Sequence, residues 1–172
     1  MFQRLRAIQT IVATGIFGAL CFLVTAFLGI PYAGGAGYFS FGDAISLLAT
    51  YLFGPIVGLG TALIGGVFAD LANGYALFIP STILAKSIMV LASFGVMFLL
   101  RKHPRLSVFG IFVGGLLMPF GYLPIYLSLY AEAAWVSFGF DVVQGVGCAL
   151  IAMLLSLPLS KALGHHPESK SM

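Results

Sequence analysis

The residues of this chain that could do chemistry are few and sit at one end of its apolar runs. Lys86 lies inside the run 79–100, about two turns from its start, and is the one basic residue outside the clusters at 4–6, 101–105 and 161–170. Asp43 opens the run 41–54 and Asp70 closes the run 56–73, so either carboxylate could pair with Lys86. An ionisable group at the centre of a membrane helix costs ~2.5–3.5 kcal/mol on insertion scales, and such groups usually serve a function or a buried pair. Two readings of Lys86 stand side by side: an ion pair that fixes helix positions, or direct contact with a ligand.

A second set lies further along. Asp141 and Gln144 are three residues apart, on one helical face. Tyr122, Tyr126 and Tyr130 recur every four residues, and Trp135, Phe138 and Phe140 surround the Asp141 segment. Isolated Trp and Tyr are ordinary at a membrane interface. A tyrosine stripe aligned with an intramembrane carboxylate and amide suits a small planar ligand better, since such pockets combine aromatic walls with a few convergent polar groups. The segment from Pro31 to Tyr38 is glycine-rich, aromatic and uncharged, suited to a lid; Asn73-Gly74-Tyr75 and Phe78-Ile79-Pro80 make a second tight connection on the same side. The candidate substrate-binding residues are Tyr38, Asp43, Asn73, Phe78, Lys86, Tyr122, Tyr126, Trp135, Asp141 and Gln144.

Other chemistries find no residues. There is no phosphate-cradling Gly-rich loop ending in Lys-Ser/Thr, so ATP hydrolysis would fall to partners. His103, His165 and His166 have no metal-ligand spacing, and no nucleophile–base set could assemble on one membrane face, so neither a metal, a cofactor nor a catalytic residue is expected. Basic residues are too sparse for nucleic acid. Cys21 and Cys148 both fall mid-span and read as small apolar residues, not a disulfide framework.

The elements that position these side chains follow from composition. Of 172 residues, 60% are apolar and 8% charged. The mean hydropathy is +1.10. A soluble domain of this size could not hide so much apolar surface. The runs approach the ~20 residues a helix needs to cross the hydrocarbon core, without the ten-residue alternation of a membrane barrel. They predict one integral membrane domain over 1–172, an all-α compact bundle of six transmembrane helices at about 9–30, 41–54, 56–73, 79–100, 106–130 and 136–160. Spans two and three meet at Phe53-Gly54-Pro55, where one long helix broken at Pro55 is the competing reading. With six spans, Arg4 and Arg6, then Arg101, Lys102 and Arg105, then Lys161 and Lys170 fall on one side, which the positive-inside rule makes cytoplasmic. The orientation is N-in/C-in, with Asp43, Asp70, Glu132 and Asp141 at the outer level and Glu168 in the cytoplasmic tail. The first run is too long for the apolar part of a signal peptide and reads as an uncleaved helix.

Small residues supply close packing where apolar lipid offers no hydrophobic drive. Gly54, Gly58, Ala62, Gly66 and Asp70 form one stripe; Gly110 and Gly114, and Gly145 with Ala149, form others. Gly15, Gly18 and Ala19 make a further patch on the first span. A terminal helix has fewer neighbours, so this patch serves either internal packing or a partner.

The stretch Phe39-Ser-Phe-Gly-Asp-Ala44, then Leu52-Phe-Gly-Pro-Ile-Val-Gly58, Gly65-Gly-Val-Phe-Ala-Asp-Leu71, Gly74-Tyr75 and Pro80-Ser-Thr-Ile-Leu-Ala-Lys86 resembles the substrate-binding S components of energy-coupling factor (ECF) vitamin transporters. The likeness is greatest to the riboflavin-transporter-like branch, with its predicted pyridoxine and hydroxymethylpyrimidine carriers, and it covers nearly all of the chain. The resemblance implies a subunit that captures a water-soluble vitamin at the outer face of a bacterial cytoplasmic membrane. It also implies association with a membrane scaffold subunit and two cytoplasmic ATPases, and delivery by toppling in the bilayer. Gly15 and Ala19 match the place of the family's small-xxx-small scaffold contact, though the usual form has Ala at both positions. Lys86, Tyr126, Asp141 and Gln144 fall in the regions that build the family's pocket.

Asp141 stands where close relatives would carry an amide such as Asn, which suggests a ligand with a basic or donor-rich ring. The expected order is a B6 vitamer, then hydroxymethylpyrimidine, then riboflavin. Two other readings remain open on the sequence: a self-sufficient small transporter or channel, and a non-transport membrane subunit whose outer polar cluster is structural.

Overall fold

The computed structural model describes residues 2–32 and 37–162, with side chains at 7–31, 38–103 and 106–162. The lid tip at 33–36 and the tail carrying His165, His166, Glu168 and Lys170 lie outside the described residues, as do the side chains of Arg4, Arg6 and Arg105. The element order is α1 (Phe2–Leu28), β1 (Ile30–Tyr32), β2 (Gly37–Phe39), α2 (Gly42–Phe53), α3 (Pro55–Ala72), α4 (Ile79–Leu99), α5 (Pro104–Ser107), α6 (Phe109–Leu117), α7 (Pro119–Tyr130) and α8 (Ala134–Ala162). Single 3-10 turns at Ala76–Phe78 and Ala131–Ala133 lead into α4 and α8.

This is an all-α membrane protein. Among the described residues, four helical stretches are long and apolar enough to cross a bilayer: Ala7–Leu28, Pro55–Ala72, Ala76–Leu99 and Phe109–Ala162. Helix α2 is apolar but shorter, with 12 residues. Nine of those 12 residues are buried, because α1, α3, α4, α6 and α8 all pack against it. Lipid is left to the outward faces of the other helices, where Ile11, Phe27, Ile56, Leu99, Val143 and Leu154 are all more than half exposed.

The junction of α2 and α3 is a reversal, so the reading as one long helix broken at Pro55 does not hold. Gly54 adopts φ +93°, a conformation that favours glycine, and Pro55 begins α3 where its missing N–H costs nothing. The two helices then fold against each other, and a side chain at Gly58 would strike Thr50.

The run 106–130, expected as one helix, is divided into α5, α6 and α7. Pro119 opens α7 and Pro124 sits within it, and each removes a backbone donor from the ladder. At Ala131, φ is +46° and the chain doubles back, so that α8 packs along both α7 and α6. Glycines set that approach. A Cβ on Gly115 would lie 2.9 Å from the Ala149 Cβ, and one on Gly121 would lie 2.7 Å from the Ala85 Cβ. The stripes of small residues on α3, α6 and α8 thus pack the bundle internally.

A short antiparallel hairpin was not expected from the sequence. β1 and β2 pair Ile30 with Phe39, Pro31 with Tyr38 and Tyr32 with Gly37, bringing the chain from the end of α1 back over the N-terminus of α2.

Candidate functional site

Polar residues from α1, the hairpin, α2, α3, α4, α7 and α8 line a single cavity. It measures about 520 Å³ including its open mouth. Asp43 arrives in the first turn of α2, Asp70 in the last turn of α3, Thr82 and Lys86 one turn apart on α4, Tyr122 and Tyr126 one turn apart on α7, and Asp141 and Gln144 on α8. Tyr38 and Ser40 enter from the hairpin, Cys21 and Thr25 from α1.

Two hydrogen-bonded networks organise the cavity. In the first, Lys86 donates to Asp43 Oδ1 in a buried ion pair. Gln144 Nε2 donates to Asp43 Oδ2 at 2.7 Å, while Gln144 Oε1 accepts from the Ser40 backbone N–H at 2.8 Å. Gln144 therefore ties α8 to α2 and to the end of the hairpin, and its two functional groups are used in opposite senses. The Ser40 and Thr25 hydroxyls lie 3.0 Å apart. Cys148 Sγ donates to the Ser40 carbonyl at 3.2 Å and Cys21 Sγ to the Gly42 carbonyl at 3.4 Å, so both thiols hold the segment that enters α2.

In the second network Asp70 accepts two short bonds, from Tyr38 OH to Oδ1 and from Thr82 Oγ1 to Oδ2, both at 2.6 Å. Tyr122 OH donates to Thr82 Oγ1 at 3.1 Å; beside this network, Tyr126 OH donates to Asp141 Oδ2 at 2.8 Å. Burial, and then the adjacent Asp70 carboxylate, push the Tyr38 phenol well above its usual range, so it remains a donor. Glycine makes room for this arrangement: a Cβ on Gly66 would lie 3.0 Å from Thr82 and 3.5 Å from Lys86 Cε.

Aromatic rings form the wall. Tyr122 and Tyr126 stack with centroids 5.9 Å apart and planes 20° apart, and Phe78, Tyr75 and Tyr38 continue the series at centroid spacings of 6.1, 6.1 and 5.2 Å. Lys86 Nζ lies 6.0 Å from the Tyr122 centroid. Such a cavity can grip a flat polar ring between aromatic faces and hydrogen-bond its edge.

Of the sequence-selected residues, Tyr38, Asp43, Phe78, Lys86, Tyr122, Tyr126, Asp141 and Gln144 line this cavity. Asn73 and Trp135 do not. Asn73 is exposed at the end of α3, and Trp135 is 61% exposed, edge-on to Phe138 as an interfacial aromatic would be. Asp70, considered as a partner for Lys86, is instead held by Tyr38 and Thr82. The sequence reading passed over Thr25, Ser40, Tyr75 and Thr82. Thr82 carried a signal, since Phe78, Thr82 and Lys86 follow each other at four-residue steps on one helical face; Thr25 and Ser40 carried none. On α1, Gly15 and Ala19 face outward, whereas Gly18 faces inward, with Ile64 Cγ2 3.1 Å from where its Cβ would be. No group of His, Cys, Asp and Glu among the described residues is arranged to hold a metal ion.

The family model for the S component of ECF-type riboflavin transporters matches residues 6–164. The chain is also 31% identical over 147 residues to a protein of Pyrococcus woesei described as an uncharacterized protein in gap 3'region, an alignment that takes in 83% of this chain and 95% of that one.

Proposed function

Because the chain belongs to the S-component family of ECF-type riboflavin transporters, whose members are substrate-binding subunits and not enzymes, we propose that its cavity is where a water-soluble vitamin is captured from outside the cell. The observation that supports this most is the meeting of Asp43, Asp70, Lys86, Asp141 and Gln144 beneath stacked tyrosines, far in sequence and together in space. Polar groups are costly at this depth, and a purely structural role would not call for an open cavity lined by them. Tyr38, Phe78, Tyr122 and Tyr126 form the aromatic wall, and Asp141 and Gln144 serve the ring edge.

The chain crosses the membrane six times in this reading. Helices α5 to α7 make one kinked pass and α2 a short buried one, with both termini in the cytoplasm as the positive-inside rule requires. Delivery depends on a scaffold subunit and two ATPases. The α1 face bearing Gly15 and Ala19 docks the scaffold, with the exposed Ile11, Val12 and Ile16 around it; Gly18 belongs to internal packing. A cysteine placed at Glu132 should label from the outside of intact cells, and one at Lys102 only after permeabilisation.

For the ligand, a B6 vitamer comes first and hydroxymethylpyrimidine second, since three carboxylates suit a basic ring. Riboflavin comes third, supported by the description of the matching family. The test is mass spectrometry of small molecules co-purified with detergent-solubilised protein, followed by titration of the three vitamins. One vitamin bound, and weakened by Gln144→Ala in folded protein, is the expected result. A folded, monodisperse protein that binds none of them would sink the capture role.

A further inference from the structure

Two side chains of the cavity keep hydrogen-bond donors that the protein does not use. An ammonium group carries three N–H donors and a side-chain amide two. Among the described residues, Lys86 Nζ gives one of its three to Asp43 Oδ1, and Gln144 Nε2 gives one of its two to Asp43 Oδ2. The amide can sit only one way round, because the Ser40 backbone N–H has to donate to Oε1 while the Asp43 carboxylate accepts from Nε2. Lys86 and Gln144 are only 5% and 3% exposed, and both line the cavity. Each is anchored on a different oxygen of one carboxylate, so the two donors stand side by side. The Tyr122 ring, 6.0 Å from Lys86 Nζ, steadies the ammonium charge but offers no lone pair in return. Buried N–H groups without an acceptor are costly, so this spot calls for a lone pair. Neither donor depends on the protonation of Asp70 or Asp141.

We propose that Lys86 and Gln144 bind an acceptor oxygen attached directly to the captured ring, a ring carbonyl or an ionised ring hydroxyl, and discriminate against a ring that presents an amino group there. This rests on the capture role proposed above and narrows its ligand. Asp43 holds each donor by one hydrogen and so fixes where the others reach. A ligand oxygen supplies the missing acceptor, whereas an amino group would set N–H against N–H. Of the three vitamins considered, the hydroxypyridine of pyridoxine and the ring carbonyls of riboflavin meet this demand. The aminopyrimidine carries an amine directly on its ring and no oxygen.

The experiment is a titration at neutral pH of the full chain in detergent against four probes: pyridoxine, 3-deoxypyridoxine, riboflavin and 4-amino-5-hydroxymethyl-2-methylpyrimidine. The tightest binder should be pyridoxine or riboflavin. Pyridoxine should exceed its 3-deoxy analogue by about tenfold or more, the order of one hydrogen bond to a charged group. The double variant Lys86→Met with Asp43→Asn removes the ammonium donors without leaving a buried charge unpaired. In it the tightest binder should weaken by about tenfold, and the ratio of pyridoxine to its 3-deoxy analogue should fall towards one, which a merely structural role would not produce. The wild-type series decides the preference for oxygen even where the variant fails to fold. The aminopyrimidine binding tightest, or 3-deoxypyridoxine binding as well as pyridoxine, would overturn that preference and leave vitamin capture standing. Affinities unchanged in the folded double variant would overturn the assignment to Lys86. No binding of any probe would remove both the preference and the capture role.

Discussion

Lys86 on α4 donates to Asp43 on α2, a pair 43 residues apart in the chain, and Gln144 on α8 donates to the other oxygen of the same carboxylate. One carboxylate thus joins three helices at the level of the cavity. Attraction between opposite charges taken out of water has to offset their desolvation, and the added amide bond helps it to do so.

The pair should therefore be worth most when judged by what its rupture leaves behind. Lys86→Met alone strands Asp43 and should cost about 3–5 kcal/mol. Adding Asp43→Asn should restore part of that loss, because the double variant buries no unpaired charge. Thermal unfolding in one detergent, read as a double-mutant cycle, checks it; additive losses would mean that the two side chains do not depend on each other.

Glycines that look alike in sequence should differ sharply in tolerance. Gly121→Ala drives a methyl into the Ala85 backbone and should destabilise by about 1–3 kcal/mol, since overpacking at a helix crossing forces backbone movement. Gly95 has nothing within 4 Å of an added Cβ, and Gly95→Ala should be neutral or stabilising by up to about 1 kcal/mol from helix propensity. Melting midpoints of the two variants against wild type decide this.

Tyr38 predicts a pH effect at the loop. Its phenol is raised above the ordinary tyrosine value of about 10 by burial and by Asp70. The unfolded chain therefore loses this proton first as pH rises. The stabilisation is complete below about pH 10 and is lost as pH climbs towards the folded value. Tyr38→Phe should lose about 1.5–3 kcal/mol near neutrality, the worth of a hydrogen bond to a charged group, and should show a shallower decline above pH 10 than wild type. Unfolding measured from pH 7 to 11 gives both numbers.

Ala131, at the reversal between α7 and α8, holds φ +46°, where a Cβ is strained. Ala131→Gly should stabilise by about 1 kcal/mol, less the extra chain entropy that glycine brings to the unfolded state. A lowered melting midpoint would show that the Ala131 methyl contributes more by packing than it loses by strain.

Some of this protein was legible in its residues taken alone. Hydropathy marked a helical membrane protein, because apolar surface on this scale has no place in water. The spacing of Lys86, Tyr122, Tyr126, Asp141 and Gln144 marked the cavity level, because a helix translates sequence position into depth at a fixed rise. The short motifs between Phe39 and Lys86 carried the family. Depth alone does not say which way a side chain turns about its helix axis, nor which helix stands opposite. Packing decided those. It turned Gly18 inward on Ile64 and left Gly15 outside, brought Lys86 to Asp43 instead of Asp70, and drew Thr25, Ser40 and Thr82 into the cavity while leaving Asn73 and Trp135 out. The run from 106 to 130 is divided at its prolines, which interrupt a ladder that hydropathy reads as continuous. Contacts such as Ser40 to Gln144, 104 residues apart, exist only once several helices have settled against one another, and no local stretch of sequence contains them.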